Sequence, residues 1–132
     1  MTFIFIKNFI KTTKRLYWSI LFNNPFVKGI IVRTLIVTPR KPNSARRPVA
    51  KIILNNNYSC LAHIPGIGHN LKKHCIVLIK KNGARDLPGV SFTCVRGIYD
   101  FLGLVNKNKR RSIYGSKKND ELKKKIRKKF RQ

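Results

Sequence analysis

Short apolar runs rich in β-branched residues recur along the middle of the chain, and Pro, Gly and Asn residues separate them. Each run is short enough to be a single strand, and the separating residues favour turns. No helical periodicity lies between the runs, so we predict consecutive strands joined by turns. The predicted strands cover residues 30–37, 49–54, 58–64, 74–79 and 90–95.

Five short strands joined by turns are typical of a small Greek-key barrel. We therefore predict an all-β fold in which residues 28–105 form a five-stranded OB-fold barrel. Barrels of this class bind oligonucleotides with their loops and one open face. The barrel is predicted to lie between a basic N-terminal extension, residues 1–27, and a basic C-terminal arm and helix, residues 106–132.

The N-terminal extension has a helical pattern. Lys7, Lys11, Lys14 and Arg15 recur at helical spacing, and apolar residues recur with a similar period, which predicts an amphipathic helix. These cations leave no apolar run long enough to span a bilayer. The composition is also that of a mitochondrial targeting peptide, so a cleaved leader and a retained RNA- or protein-binding extension are both open.

Basic residues dominate the C-terminal region. Residues 106–118 contain too few apolar positions to fold alone and are predicted to form an extended basic arm. Asn119 is a good N-cap for a final helix, because Asp120 and Glu121 suit the positive helix N-terminus and the lysines that follow suit the other end. A solvated tail is the alternative interpretation.

The charge of the chain points to a polyanionic partner. Thirty Lys and Arg residues against four Asp and Glu residues give a formal net charge of +26, and Asp86 is the first acidic residue from the N-terminus. Phosphates would neutralise this self-repulsion, so a nucleic acid is the leading partner. A membrane surface fits less well, because the cations are spread along the whole chain. Four carboxylates and no grouped nucleophile and base argue against an enzyme.

Cysteine and histidine residues raise the possibility of a metal site. Cys60, His63, His69, His74 and Cys75 lie close together in the sequence. Their spacing does not match the usual zinc-binding pairs, so we predict neither a metal site nor a cofactor. The odd cysteine count also argues against a secreted disulfide scaffold.

One loop, TPRKPNSARR at residues 38–47, has the composition of an RNA contact. Pro39 and Pro42 make it stiff and non-helical, while Asn43 and Ser44 supply short polar side chains at turn positions. An ordinary solvated basic loop is the alternative. The cations of this loop have no acidic neighbour in sequence; they are Arg40, Lys41, Arg46 and Arg47.

A second loop, KKNGARDLPGV at residues 80–90, carries complementary features. Arg85 offers a guanidinium fork that suits phosphate. Asp86 is a lone carboxylate in a cationic stretch, so we expect it to hold neighbouring cations or donors in position rather than to act as a base. Pro88 and Gly89 then favour a sharp turn before the next strand.

Five short motifs now stand in one order over residues 28–118, and together they resemble the small-subunit ribosomal protein S12 family. PNSA and DLPGV are the most specific, because barrel packing does not dictate the sequence of a loop. The two ends of the chain carry no family motif. The five motifs are TPRKPNSARR, GIGHNL, ARDLPGV, VRG and RSIYG.

The resemblance implies a noncatalytic component of the ribosomal decoding centre. Its loops would lie beside the aminoacyl-tRNA site, with PNSA next to the codon–anticodon minihelix. Asp86 matches a position that carries a β-methylthio modification in some bacterial relatives. The implied decoding residues are Pro42, Asn43, Ser44 and Ala45. The residues expected to bind ribosomal RNA (rRNA) are Arg40, Lys41, Arg46, Arg47, His69, Arg85, Arg96, Arg110 and Arg111.

The resemblance also implies the partners: small-subunit rRNA, tRNA and mRNA at the aminoacyl site, neighbouring ribosomal proteins and, transiently, elongation factors. No membrane partner is expected. The abundance of Lys, Ile, Asn and Phe indicates AT-rich codons, so we expect an organelle-encoded mitochondrial protein, with a plastid as the alternative. A free single-strand-binding protein is the other functional alternative, but it should display stacking aromatic residues across its strands, where residues 30–79 offer only Tyr58.

Overall fold

A computed structural model describes residues 24–105 and 107–118. This part of the chain is built mainly from strands, with one short helix after them. The strands are β1 (Phe26–Val37), β2 (Arg47–Leu54), β3 (Ser59–His63), β4 (Ile76–Lys81) and β5 (Phe92–Cys94), and the helix is α1 (Arg111–Tyr114).

The five strands close into a barrel in the order β1-β2-β3-β5-β4. Strand β1 lies between β2 and β4, and β2 also pairs with β3, all antiparallel. The spatial order β4-β1-β2-β3 is that of a Greek key. Strand β5 completes the circle by pairing parallel with β3 and antiparallel with β4. The predicted five-stranded Greek-key barrel is therefore confirmed.

Alternating burial along the strands gives the barrel an apolar inner face and an outer face. In β2, Ala50, Ile52 and Leu54 are buried in the barrel, whereas Lys51 and Ile53 point to the other face. A register shift between Ile31 and Arg33 bends β1, whose first part pairs with β4 and whose longer second part pairs with β2. The barrel core contains Ile31, Ala50, Ile52, Leu54, Cys60, Ala62, Ile64, Leu71, Val77, Ile79, Phe92, Cys94 and Phe101.

Each of the five strands differs from its predicted bounds at one or both ends, and the differences in β4 and β5 have a visible cause. Strand β4 begins at Ile76 rather than at residue 74, because His74 has a positive φ of 69° and Cys75 closes a turn onto the Lys72 carbonyl. Strand β5 is shorter than expected, because Val90 packs in a separate apolar cluster outside the barrel core. Sequence periodicity marks both segments as apolar but does not show which face they cover.

The prediction of an extended arm at residues 106–118 is wrong for its described part. Helix α1 makes one turn there, and Gly115 ends it in the left-handed conformation. The segment then packs against residues 103–104: the Leu104 N–H donates to the Tyr114 carbonyl at 2.9 Å, and the Ser116 hydroxyl donates to the Leu104 carbonyl at 2.6 Å. Backbone contacts rather than apolar burial therefore order this basic segment.

Two further predictions fall on other parts of the chain. The amphipathic helix at residues 1–22 and the final helix from residue 119 lie outside the described residues. Within the residues that are described, no helix has the length and apolarity needed to cross a membrane.

Candidate nucleic-acid interface

The two loops singled out in the sequence meet at one end of the barrel. Loop 1 (residues 38–46) connects β1 to β2, and loop 2 (residues 82–91) connects β4 to β5. The Arg40 N–H of loop 1 donates to the backbone carbonyl of Asp86 in loop 2 at 2.9 Å. The two loops lie far apart in the sequence, but closure of the barrel brings them side by side, so that they form a single surface.

Asp86 is the residue that joins these loops. Both Nε and Nη2 of Arg47 donate to its Oδ2 atom, at 3.0 and 2.7 Å. The Asp86 side chain is only 15 % exposed, and Arg47 covers it from the first residue of β2. Asp86 thus holds a neighbouring cation in position, as the sequence predicts. The Arg47 guanidinium points toward the junction of the two loops.

A small apolar cluster fixes loop 2 on the outer face of the barrel. Val49 and Leu61 point away from the core, opposite in direction to their buried neighbours Ala50 and Ala62. Leu87 and the adjoining loop residues cover them, so Val49 becomes buried and Leu61 partly buried. The complete cluster contains Val37, Val49, Leu61, Ala84, Leu87 and Val90. Loop 2 is consequently attached through packing as well as through Asp86.

The PNSA segment projects from this base. Pro42, Asn43, Ser44 and Ala45 are all exposed. A turn stiffens the segment, since the Asn43 N–H donates to the Arg40 carbonyl at 3.0 Å. The Lys41–Pro42 peptide is cis. The short polar side chains therefore stand at the exposed tip of a structure that two proline residues and the Asp86 link restrain.

The predicted rRNA-binding residues fall into two groups. Most of them expose their side chains to solvent and can reach a phosphate directly. Arg47 and Arg111 are partly buried, and Arg96 is buried. The exposed group contains Arg40, Lys41, Arg46, His69, Arg85 and Arg110.

Arg96 differs from the other cations because its donors are used within the protein. Nε donates to the Pro65 carbonyl at 2.5 Å and Nη1 to the Leu102 carbonyl at 3.1 Å, and Nη2 donates to the Gly68 carbonyl. The guanidinium also lies over the Phe101 ring, 4.3 Å from its centroid. Only 4 % of the residue is exposed, so Arg96 holds the GIGHNL turn on the barrel in this conformation.

A groove of about 530 Å³ runs beside the loops and adds residues that the sequence did not single out. Its described lining includes the cations Arg46, Arg47, Lys80 and Arg110 and contains no acidic side chain. Such a groove suits an anionic chain of nucleic acid. His63 also lines it, from the last position of β3.

The environment of His63 favours its neutral form. Burial lowers its pKa, the Arg47 guanidinium lowers it further, and Asp86 acts weakly in the opposite direction. A neutral imidazole offers one donor and one acceptor to a partner in the groove. In the sequence, His63 stands out only as one of the residues of the metal hypothesis. Its proximity to Arg47 is not visible there, because it depends on the pairing of β2 with β3.

The cysteine and histidine residues of the metal hypothesis lie in different parts of the fold. Cys60 and Cys94 lie in the barrel core, where burial raises their thiol pKa values to about 11 and about 12. His69 and His74 are exposed on the surface. Within residues 24–105 and 107–118, no three His, Cys, Asp or Glu side chains lie in an arrangement that could hold a metal ion.

A small five-stranded Greek-key barrel with basic loops gathered at one end has the architecture of the OB-fold, a class whose members bind oligonucleotides and oligosaccharides. Comparison with known proteins gives the family. The family model described as Ribosomal protein S12/S23 matches residues 15–128, and the chain belongs to this family. It is therefore a ribosomal protein and not an enzyme.

A relative from Paramecium tetraurelia supports this assignment over most of the chain. It is named small ribosomal subunit protein uS12m, and it is 57 % identical over 107 residues. The match covers 81 % of this chain and 77 % of the relative. The barrel, both loops and the described C-terminal segment all lie within the range that the family model matches.

Proposed function

We propose that this chain is a small-subunit protein of the mitochondrial ribosome whose two loops lie at the decoding centre. The name of the Paramecium relative supports the subunit and the organelle, and the net charge of +26 suits a chain embedded in rRNA. The AT-rich residue usage agrees with an organelle-encoded gene, for which a plastid is the alternative site.

The observation that carries the proposal is the junction at Asp86. It fixes loop 1 and loop 2 as one surface, with the exposed tip of Asn43 and Ser44 beside the exposed cations. Contact with a codon–anticodon helix calls for two kinds of side chain on this surface. Cations anchor the surface on rRNA phosphates, and short neutral groups at the tip touch the minihelix.

The chemistry of the tip suits a test of shape. A-form RNA displays its 2′-hydroxyls in a shallow minor groove, and Asn and Ser side chains can hydrogen-bond there without reading sequence. A long cation at the same place would attract any codon, matched or mismatched. The loops thus stabilise the closed decoding geometry around tRNA and mRNA, while elongation factors are transient neighbours of the same surface.

The test compares the loop with the C-terminal end in small subunits assembled with the full chain. Asn43→Ala and Ser44→Ala should increase misreading several-fold with normal subunit assembly. Removal of residues 119–132 should impair assembly and leave the accuracy of assembled ribosomes unchanged, because a basic tail acts by neutralising phosphate. Misreading reporters and gradient profiles measure the two effects.

Asn108→Ala is the matched control, since Asn108 is an exposed asparagine outside both loops. It should change neither property. Equal effects on accuracy and assembly from the loop variants and the truncation would contradict the proposed division. Sedimentation of native lysate tests the location itself: the chain should migrate with the small subunit, and a position near the top of the gradient would favour a free RNA-binding protein.

A further inference from the structure

The outer face of the barrel carries a second apolar cluster, which residues 24–105 and 107–118 leave exposed. Ile30 in β1 pairs with Ile53 in β2 on one side and with Ile76 in β4 on the other. Their neighbours Gly29, Ile31, Ile52, Leu54 and Val77 are buried, so the three isoleucines point outward together. We call Ile30, Ile53 and Ile76 the isoleucine patch.

The isoleucine patch is exposed, whereas the apolar cluster under loop 2 is covered. Ile30 is 47 % exposed, and Ile53 and Ile76 are each 41 % exposed. Val49 and Leu61 also point outward from this sheet, yet loop 2 packs on them and leaves Val49 buried and Leu61 partly buried. A shallow cavity of about 140 Å³ borders Ile30 and Ile76, so the surface is not flat. Contiguous exposed aliphatic groups of this kind mark contact sites with other proteins.

The rim of the patch carries charges of both signs, in a chain that is otherwise strongly basic. Asp100 is exposed, and its Oδ2 accepts the Ile76 N–H at 2.7 Å, which fixes the carboxylate at the edge of the patch. Among the described residues, Asp100 has no salt-bridge partner, whereas Arg47 neutralises Asp86. Tyr99, which is 57 % exposed, adjoins this carboxylate in the chain. Lys28 lies on the other side, in the lining of the cavity.

We propose that the isoleucine patch binds a neighbouring protein chain through an aliphatic surface that places a lysine or arginine opposite Asp100. The inference rests on the proposed position in the small subunit, where both RNA and proteins surround the barrel. RNA is a poor occupant, because isoleucine side chains offer no hydrogen-bond donor and the Asp100 carboxylate repels phosphate. An apolar centre with a tyrosine and a charged rim is the usual anatomy of a protein interface.

Charge substitutions at Ile53 separate the two kinds of occupant. An RNA partner would bind the Ile53→Lys variant more tightly and the Ile53→Glu variant more weakly. A protein with a cation at this edge should reject both variants, with Ile53→Lys the more harmful. We expect the neighbouring protein to lose about tenfold in affinity with Ile53→Lys, as for a central interface residue.

The experiment uses purified small subunits assembled with the full chain. Quantitative mass spectrometry after salt washes measures which subunit proteins are lost from each variant. Ile36→Lys is the matched control, because Ile36 is a 74 % exposed isoleucine outside the patch, on strand β1 that pairs with the strand of Ile53. Unfolding curves of the free variants confirm that each barrel is folded, and Ile53→Ala provides a version without a new charge.

A photoreactive amino acid in place of Ile53 identifies the occupant directly. The expected result is an adduct with one subunit protein, near a lysine or arginine, together with loss of that protein from Ile53→Lys but not from Ile36→Lys subunits. Adducts with RNA, with a second copy or with residues 1–23 of this chain would overturn the proposal, as would the absence of an adduct. The same probe in place of Ser44 reports separately on the proposed function, because it should capture RNA whatever covers the patch.

Discussion

The guanidinium of Arg96 shows how a single basic residue can serve the fold. Three carbonyl oxygens accept its N–H groups, and they belong to Pro65, Gly68 and Leu102. The family motif VRG places this residue among the expected rRNA contacts, although it is the only Lys or Arg between Arg85 and Lys107. Its burial follows from tertiary structure, because the carbonyl groups that surround it lie up to 31 positions away in sequence.

Arg96→Lys should destabilise the barrel although it conserves the charge. Lysine lacks the planar fork that reaches several carbonyl groups and stacks on Phe101, so we expect the free energy of unfolding to fall by about 2–3 kcal/mol. Urea unfolding of the free protein measures the change. Arg33→Lys, at an exposed position of β1, should leave the unfolding free energy within about 0.5 kcal/mol of the parent, and an equal loss in both variants would contradict the assigned role.

His63 makes stability depend on pH in a defined direction. Its pKa in the folded protein lies below the ordinary value of 6.5, so the unfolded chain binds a proton more readily than the folded chain. The contribution of neutral His63 is therefore complete above about pH 6.5 and is lost progressively as the pH falls below that value. Unfolding curves between pH 5 and pH 8, at roughly unit intervals, measure this slope.

His63→Gln should flatten the pH profile of stability, because the lowered pKa of His63 is the source of the slope. Asp86→Asn should lower the pKa of His63 further, because Asp86 is the neighbour that raises it. Imidazole NMR shifts detect that change. A titration of His63 at or above its ordinary pKa in the parent protein would show that burial does not act as described.

The strands and the two loops differ in how well the sequence predicts them. Apolar runs and turn residues indicated all five strands, since burial and turn conformation are local requirements. The outer cluster under loop 2 was not predicted, because an apolar residue in a strand has the same appearance in sequence whether it faces the core or a covering loop. Val49 and Leu61 are the examples, and only the position of Leu87 shows what covers them.

Leu87→Ala should release loop 2 while the barrel remains closed. Leu87 is 4 % exposed in the outer cluster and does not belong to the barrel core, so the free energy of unfolding should fall by about 2–3 kcal/mol through lost packing. The Arg40 amide should exchange faster, because its acceptor is the Asp86 carbonyl in the released loop. Hydrogen exchange with residue resolution measures both regions.

The control for this element is Leu102→Ala, since Leu102 is 63 % exposed. It should cost less than about 0.5 kcal/mol and leave the Arg40 amide protected. Equal exchange rates for Arg40 in the parent and in Leu87→Ala would show that the Asp86 junction alone holds the loops together.

At the scale of the whole molecule, charge was the most informative property of the sequence. Composition alone indicated a polyanionic partner, and the loop motifs then indicated the ribosomal family, which the comparisons confirm. The groove beside the loops was not predictable, because Arg46, Lys80 and Arg110 come from three separate parts of the chain. Their meeting depends on barrel closure and on the return of the C-terminal segment.

We expect the cations of the groove to contribute a measurable part of the salt dependence of RNA affinity. The logarithm of the affinity should fall linearly with the logarithm of salt concentration, with a slope set by the number of phosphates neutralised. Replacing Arg46 and Arg110 together by Ala should reduce the magnitude of the slope by about 1.5–2 if each contacts one phosphate. Filter binding of the full chain to an rRNA fragment, at several salt concentrations, measures it.

Arg33→Ala combined with Lys73→Ala gives a matched removal of two exposed cations that do not line the groove. This pair should change the slope by less than the groove pair. Identical slopes for both pairs would mean that RNA contacts the chain without preference for the groove.

The closing strand of the barrel has a consequence during synthesis. Strand β5 contains only the residues Phe92–Cys94, but it supplies the partner for one edge of β3 and one edge of β4. Until residue 94 has been translated and has left the exit tunnel, both edges present unpaired backbone groups that can pair with another strand. The nascent chain is therefore vulnerable to misassociation for as long as its last strand is missing, and a pause in translation just before residue 92 would prolong that period.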